Sequence, residues 1–571
     1  MGTVIQIHPQ SHNDRKSHDD HTPRWDRTRR AALFDQYLAL QAQGVSLRQA
    51  AKALEVPRST LQAWRVHQES LDEHPSVVVF FQSSPGLAFL HRLVLGIHLV
   101  CTEVGACGIR LVCLLLKLTG LDRFVAASYG IQQQVNCQVE EAIVRYRQEE
   151  SARLAQDMPT KAITLAKDET FTGGLCLVAA EPQSHSIVLE QAAHARDQDT
   201  WQALMEKALS GLHCQVMQST SDEAPGLLAS VEHHLGAHHS PDLFHVQHEL
   251  VKAVSGPMAT KQRAAAKAAC EAQERLEQVQ GQLQESANAP HKRGPGRPPQ
   301  AAASLEQLAQ DVQAAHQKLE RLSAQREQVA QSIRHIGQAY HFVDLERGVR
   351  RNGRLIAADI QGQIDTIRSV AQHEGLSQTC LERIDKAERV VPKMQATIEF
   401  VSGYVPKQVR QLDLPPLVSY ALHAHLIPSC YLERVAQSRT VHAGEPLREL
   451  AERLRAPLFE PSGVLASLSE GQRSQLKQQA QELAEVFQRS SSNVEGRNGY
   501  SSLRNHQLRG LDRPRKRACL TAIHNFFLTR EDGTTAAERF FGQKPRSMFT
   551  AILQSIDLPP APLSPPRRVE R

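Results

Sequence analysis

The sequence predicts an α/β protein in which a small group of strands is followed by a long helical region. Short apolar runs bounded by turn residues lie between positions 160 and 255, and helical patterns separate them. From 265 to 336 apolar residues recur at alternating spacings of three and four, which is typical of paired long helices. A chain of 571 residues exceeds one hydrophobic core, so several structural units are expected.

The composition limits the function classes. Because the formal net charge is only +5, any binding of nucleic acid must depend on local basic patches and not on the overall charge. The 10 cysteines form no C-x-x-C pair, which favours a reducing cytoplasm. The most hydrophobic stretch, 87–118, is interrupted by charged residues and predicts a buried helical pair, with no membrane partner. Residues 1–28 lack a secretory signal pattern and are predicted to be a disordered tail.

Residues 29–70 have the pattern of a helix-turn-helix domain. Gly44 ends a first helix, Ser46 and Gln49 form a capping box that opens a second, and Pro57 opens a third. In such a layout the early residues of the last helix contact the major groove of DNA, while the apolar Leu61 and Trp64 are predicted to face the core. The predicted DNA-binding residues are Arg58, Ser59, Thr60, Gln62 and Arg65. The alternative is a plain helical hairpin.

A second helical domain is predicted over 87–158. Gly120 has the position of a helix C-cap, so this stretch resembles another helix-turn-helix. An equally good interpretation is a structural helical domain that lies between the predicted helix-turn-helix domain and the strands.

Two strands of the central region each end in a carboxylate. Asp168 follows an apolar run that starts at Ile163, and Asp222 follows the run that starts at Cys214. A hairpin with a Pro-Gln-Ser turn and a helix over 199–211 separate them. Side-by-side carboxylates repel each other unless a cation neutralises them, and Mg²⁺ or Mn²⁺ prefers such oxygen ligands. The sequence therefore predicts a metal site, with Glu169 as a neighbour of the site.

The next segment, 240–250, is predicted as a further strand that adds Asp242 and His245 as site candidates. Four histidines precede it, at positions 233, 234, 238 and 239. They lack the pair spacing and the cysteines of a zinc site and are interpreted mainly as loop residues.

A third acid lies far along the chain. Residues 490–493 are predicted to cap a helix that places Glu495, Asn498 and Ser502 on one face. Seven Arg and Lys residues and a single acid, Asp512, follow between 497 and 517. Arg497 and Arg504 are therefore predicted to bind phosphates next to a metal ligand. The alternative is a solvated surface helix.

The stretches AKDETF, STSDEAPGLL, PDLFHVQHEL and SSSNVEGRNGYSSLR, in this order, resemble the DDE transposases of bacterial insertion sequences. AIHNFFLTREDGTTAAERFFGQKP is similar to the ending of many such enzymes. The resemblance implies an RNase H-like mixed-sheet core, assigned to 160–255 and 481–550. It also implies that Asp168, Asp222 and Glu495 are the catalytic triad that binds two Mg²⁺ or Mn²⁺ ions, with Asp242 as a reserve ligand.

The resemblance implies an enzyme that binds the ends of a mobile element, cleaves the DNA and joins it to a target. The expected partners are DNA and further copies of the chain, as a homodimer or higher oligomer. The expected location is the cytoplasm, on the nucleoid when DNA is bound. The alternative is an inactive DNA-binding or architectural protein derived from such an enzyme.

The long interval between Asp222 and Glu495 departs from the simplest members of that family, although some families carry a helical insertion there. Residues 256–480 are interpreted as this insertion, with a coiled-coil hairpin whose arms flank a linker of four prolines at 288–300. Arg293 and Arg297, in the loop 291–300, resemble an AT-hook that enters the minor groove of DNA. A merely basic loop is an equal alternative. Residues 345–480 are predicted to be mostly helical, and 551–571 form a Pro-rich basic tail.

Overall fold

The structure is a computed structural model that describes residues 27–69, 74–288, 301–507, 511 and 513–562. The chain divides into two compact units, residues 1–146 with 546–571 and residues 147–545. Several predicted features lie outside the described residues, namely almost all of the tail 1–28, the AT-hook-like loop with Arg293 and Arg297, Asp512, and the end of the Pro-rich tail from 563 onward.

The described helices are α1 (Arg27–Ala42), α2 (Leu47–Ala53), α3 (Arg58–Glu69), α4 (Pro75–Gln82), α5 (Ser84–Ile97), α6 (Ile109–Leu118), α7 (Tyr129–Gln156), α8 (Gln198–Leu209), α9 (Pro225–Ala229), α10 (Leu243–Leu250), α11 (Gly256–Asn288), α12 (Ala301–Ala339), α13 (Gly353–His373), α14 (Gln378–Glu388), α15 (Val391–Gln411), α16 (Pro416–Ala421), α17 (Ile427–Gln437), α18 (Val441–Phe459), α19 (Glu470–Glu485), α20 (Ser492–Gln507), α21 (Pro514–Phe526), α22 (Ala536–Phe541) and α23 (Met548–Ser555). Short π-helical turns occupy His98–Val104, Ser230–Leu235, Val251–Ser255 and Leu422–Leu426, and Leu121–Arg123 forms a 3₁₀ turn. The strands are β1 (Lys161–Thr170), β2 (Cys176–Glu181), β3 (Ser186–Ala192), β4 (Cys214–Ser221) and β5 (His238–Pro241).

The first unit begins with three helices at the positions that the sequence predicts. Gly44 has φ +80° after α1, a conformation that glycine adopts without strain. The Ser46–Gln49 capping box is present at the start of α2. Leu61 and Trp64 of α3 are buried against α1 and α2, so their predicted core positions are confirmed.

The second helical stretch of this unit is only partly buried. Thr119 is the C-cap of α6, and Gly120 follows it with φ +70°, so glycine terminates the helix one residue beyond the cap. The face of α6 with Val112 and Leu116 is buried, whereas Leu111 and Leu118 on the opposite face are exposed. The prediction of a buried helical pair over 87–118 is therefore correct for only one face of α6. The segment Ser84–Val104 would be long and apolar enough for a membrane span, but 44% of it is buried and core helices pass the same test.

The second unit contains one five-stranded mixed sheet with the order β3-β2-β1-β4-β5. Strands β1, β2 and β3 pair antiparallel, and β4 and β5 run parallel to β1. The predicted hairpin of β2 and β3 is confirmed. The chain is thus a mixed α/β protein that is mostly helical.

The predicted strand over 240–250 is wrong beyond its first residues. Strand β5 ends at Pro241, and α10 follows. The Asp242 side chain accepts a hydrogen bond from the Phe244 amide at 2.8 Å and so caps the helix. Leu243, Val246 and Leu250 are buried at helical spacing. His238 and His239 belong to β5, and His233 and His234 belong to the π-helical turn Ser230–Leu235, so the loop interpretation is wrong for all four.

The helical region between α10 and α20 forms most of the second unit. Helices α11 and α12 pack against each other as the predicted hairpin, with Ala265, Leu322 and Val329 buried. Gln262 of α11 donates a hydrogen bond to Ser323 of α12 at 2.8 Å. Helices α13 to α19 share one apolar core with this hairpin, as expected for a mostly helical region.

Candidate metal centre

Three carboxylates lie at the same edge of the sheet. Asp222 directly follows β4, and Asp242 directly follows β5. Asp168 lies in β1, two residues beyond Ala166, the last residue that pairs with β4. Because the carboxyl ends of parallel strands share one edge, these acids converge there. Strand β1 does not end at Asp168, however; it continues to Thr170 by pairing with β2, with Asp168 opposite Val178.

The chain returns to this edge just before α20. The Gln488 carbonyl accepts hydrogen bonds from Gln218 of β4 at 2.9 Å and Ser240 of β5 at 2.7 Å. The Ser491 amide donates to Asp242 Oδ2 at 3.1 Å. Val494 of α20 is buried against β1 and β2. These contacts bring the first turn of α20 onto the edge of the sheet despite the long interval in sequence.

Helix α20 carries the third predicted acid to the site. Donor atoms of Glu495, Asp242 and His245 lie within 4.8 Å of one another. One turn later, Asn498 donates a hydrogen bond to Asp168 Oδ2 at 2.8 Å. The structure therefore groups Glu495 with Asp242 and His245, and it connects Asp168 to the next turn of α20 through Asn498. Among the described residues, the 4.8 Å group contains neither Asp168 nor Asp222.

Mutual repulsion is visible in the electrostatics of the acids. Burial raises the pKa of Asp168, and the nearby charge of Asp222 raises it further. Burial also raises the pKa of Glu495, and Asp242 and Asp168 add to that shift. A divalent cation among these oxygens would remove the repulsion, so the electrostatics fit a cation site.

The donor set fits a hard divalent cation. Carboxylate oxygens dominate the cluster, and His245 adds one nitrogen. The Asn498 Oδ1 atom is buried, and no hydrogen bond reaches it from the described residues. A buried oxygen without a donor usually has a water or ion as its partner.

Asp242 has a structural role that limits its use as a reserve ligand. Its side chain is fully buried, and its Oδ1 atom caps α10. Its Oδ2 atom accepts hydrogen bonds from the amide and the hydroxyl of Ser491. Asp242 therefore anchors the segment that places Glu495, whether or not it also contacts a cation.

Glu169, the acid next to Asp168, is engaged elsewhere. Its Oε2 atom forms an ion pair with Arg196 at 3.0 Å, and Oε1 lies 3.5 Å from the Trp201 indole nitrogen. The interpretation of Glu169 as a neighbour of the site agrees with this placement.

A cavity of about 230 Å³ opens beside the acids. Asp222, Asp242 and His245 line one side of it, and Lys386 and Ala387 of α14 line another. The helical region thus forms part of the wall of the candidate site, and no motif in the sequence predicts this contribution.

The predicted DNA-binding residues fall into two groups. Arg58 and Ser59 are exposed at the start of α3, and Thr60, Gln62 and Arg65 are half-buried on the same helix. Arg497 and Arg504, in contrast, are 6% and 3% exposed. Arg497 forms a buried ion pair with Glu190 at 2.6 Å, so its burial is at odds with a phosphate-binding role.

A family model matches the C-terminal part of the chain. Residues 422–568 match the model of a family described as a family of unknown function, DUF6399. The matched segment contains Glu495 and Asn498 but not the strands with Asp168 and Asp222. No curated protein and no solved structure matches the chain.

Replacement of Asn498 with Ala should lower the affinity for Mn²⁺ by about 10-fold, because groups that orient a metal ligand typically contribute 10- to 100-fold. Titration of the full chain with Mn²⁺ measures this. Asn493→Ala is the matched control, because Asn493 lies on the same helix and donates to the Pro182 carbonyl, away from Asp168. Equal affinities for the two variants would exclude this role of Asn498.

Proposed function

We propose that this protein is a transposase that binds element-end DNA and catalyses metal-dependent DNA cleavage and strand transfer. The observation that carries the proposal is the convergence of acids from three remote segments. Asp168 and Asp222 come from neighbouring parallel strands, and Glu495 comes from α20, far along the chain. A purely structural cluster would gain nothing from neighbouring acids whose charges raise the pKa of Asp168 and of Glu495.

The topology of the sheet supports an RNase H-like core. Three antiparallel strands followed by two strands parallel to the first, in the order β3-β2-β1-β4-β5, are the arrangement expected of such a core. The helical region begins after α10 and ends before α20 in the sequence, which is the position of the proposed insertion into the core.

Asp168, Asp222 and Glu495 would hold the divalent cations. Such ions stabilise the attacking and leaving oxygens of a phosphoryl transfer. Asn498 holds Asp168 by its hydrogen bond, and Asp242 holds the start of α20 through Ser491. In this proposal the protein contributes a preorganised set of charges on rigid elements.

The N-terminal helices support DNA recognition. The capping box, the turn at Gly44 and the buried Leu61 and Trp64 agree with a helix-turn-helix, and Arg58 is exposed where the major groove would lie. Assembly as a dimer or higher oligomer on DNA, on the nucleoid of the cytoplasm, follows from the same proposal.

Replacement of both Arg58 and Arg65 with Ala should weaken DNA binding by about 10-fold and reduce the salt slope by about 2, since each phosphate contact releases roughly one counterion. A fluorescence anisotropy titration at several salt concentrations measures both quantities. Arg48→Ala is the control, because Arg48 lies on α2, outside the proposed reading helix. An unchanged salt slope would make these helices a structural domain.

A joining assay tests the proposed function as a whole. Labelled DNA from the two regions that flank the gene is incubated with the full chain, a target plasmid and Mg²⁺ or Ca²⁺. We expect joined product with Mg²⁺ and little with Ca²⁺, whose coordination is longer and looser. Binding of the ends without any joining would instead support the inactive, DNA-binding alternative.

A further inference from the structure

Helix α15 of the helical region contacts the segment that carries Asp222. Lys393, in the first turn of α15, forms an ion pair with the Glu223 carboxylate. Glu223 directly follows Asp222 in sequence. A residue that is remote in sequence therefore binds the neighbour of a proposed metal ligand.

The contact continues into the sheet through His239 of β5. Its Nδ1 atom lies 3.8 Å from Glu223 Oε1, and its Nε2 atom lies 3.2 Å from the Ser221 hydroxyl. Burial lowers the pKa of His239 to about 3, so the ring is neutral at physiological pH. The Ser221 hydroxyl is also 3.0 Å from the Asp222 carbonyl oxygen. Lys393 thus binds Glu223 on one side of Asp222, and His239 contacts Ser221 on the other side; the neutral His239 ring lies beside Glu223 without a hydrogen bond to its Oε1 atom.

The position of Lys393 is fixed by the packing of α15 on β5. The Thr397 hydroxyl, one turn after Lys393, lies 3.0 Å from His238 Nε2. The Phe400 ring stacks on the His238 ring with centroids 4.6 Å apart. These contacts hold the helix against the strand, so the Lys393 ammonium group has a defined position.

We propose that Lys393 is a positioning residue that couples the helical region to the metal centre by holding the Asp222–Glu223 turn. The inference rests on the proposed function. Loss of the ion pair would release the Glu223 carboxylate beside Asp222, where it would repel Asp222 or compete for the cation. The Asp222 carboxylate itself is held by only one described contact, from the Ala224 amide at 3.2 Å, so its orientation depends on the turn.

The ion pair is suited to positioning rather than to stability. The Lys393 and Glu223 side chains are 41% and 26% exposed. Partly exposed pairs typically contribute little to the stability of the fold, because water screens the charges. Its removal should therefore change the metal centre more than the stability of the metal-free protein.

Mn²⁺ titration of the full chain tests this inference. Lys393→Met should lower the Mn²⁺ affinity by about 10-fold and leave the melting temperature of the metal-free protein nearly unchanged. Lys393→Arg should restore most of the affinity because it keeps the charge. Lys407→Met is the matched control, since Lys407 is exposed on the same helix, and it should bind Mn²⁺ like the wild type.

Two other outcomes would overturn the inference in distinguishable ways. Wild-type affinity in Lys393→Met, together with loss of binding in Asp222→Asn, would exclude the positioning role and leave the proposed function intact. Equal Mn²⁺ binding by the wild type and Asp222→Asn would remove Asp222 from the metal centre and so contradict the proposed function itself. If Lys393→Met folds poorly, Lys393→Gln breaks the same pair while leaving the Glu223 carboxylate in place, and it should show the same loss of affinity.

Discussion

Strand transfer should fall by about 10³-fold or more in Asp168→Asn, Asp222→Asn and Glu495→Gln, because each change removes a charge that would hold the catalytic cations. The substitutions keep the side-chain volume and much of the hydrogen bonding. Removal of one of several repelling carboxylates should not unfold the protein, since burial and like charges already raise the pKa of Asp168 and Glu495. The joining assay with labelled ends measures the loss.

Glu169→Gln is the matched control for these variants. It changes an acid adjacent to Asp168, but Glu169 is paired with Arg196 and lies near Trp201. We expect its joining rate to stay within about 3-fold of the wild type, a typical effect of a change outside the reacting groups. All variants should still bind end DNA, since recognition is assigned to α3. Joining by Glu495→Gln at the wild-type rate would contradict the assignment.

Arg497→Ala should destabilise the second unit by about 3–5 kcal/mol, because it leaves the buried Glu190 charge without its ion pair. Arg497 contacts both oxygens of Glu190, which also accepts a hydrogen bond from Thr521 at 2.6 Å. Burial alone would raise the pKa of Glu190, but Arg497 lowers it below the usual value. The contribution of this pair is therefore present at neutral pH and is lost as the pH falls through the lowered pKa.

Urea unfolding of the variants measures this effect. Arg513→Ala is the control, because Arg513 is exposed at the start of α21 and should change stability by less than about 0.5 kcal/mol. The double variant Glu190→Gln/Arg497→Met should recover part of the loss, since it leaves no buried charge unpaired. The same unfolding midpoint for Arg497→Ala and Arg513→Ala would contradict the stabilising role of the buried pair. Arg497 would then again be a candidate for binding phosphate at the surface.

Local chemistry explains which elements could be predicted from the sequence. The Ser46–Gln49 capping box and the Pro-Gln-Ser turn act within a few residues, and both are present in the structure. The heptad spacing of α11 and α12 likewise determines a helical hairpin without help from distant residues. The carboxylates at Asp168 and Asp222 could be predicted as neighbours because the strands that carry them are parallel.

Long-range contacts explain what could not be predicted. Arg497 belongs to a basic stretch, and only the approach of β3 shows that it pairs with Glu190. The segment after Pro241 has enough apolar residues for a strand, but the Asp242 side chain caps a helix there. Lys393 belongs to no recognisable sequence motif. Its ion pair with Glu223, the neighbour of Asp222, depends on the packing of α15 against β5.

The central claim is that acids remote in sequence form one divalent cation site. Anomalous scattering from crystals of the full chain grown with Mn²⁺ tests it most directly, since Mn²⁺ can be located independently of any assay. The account predicts anomalous peaks within coordination distance, about 2.0–2.3 Å, of the carboxylate oxygens of Asp168 and Glu495. Saturating Mn²⁺ with no peak at these acids, or with peaks only at other residues, would contradict it.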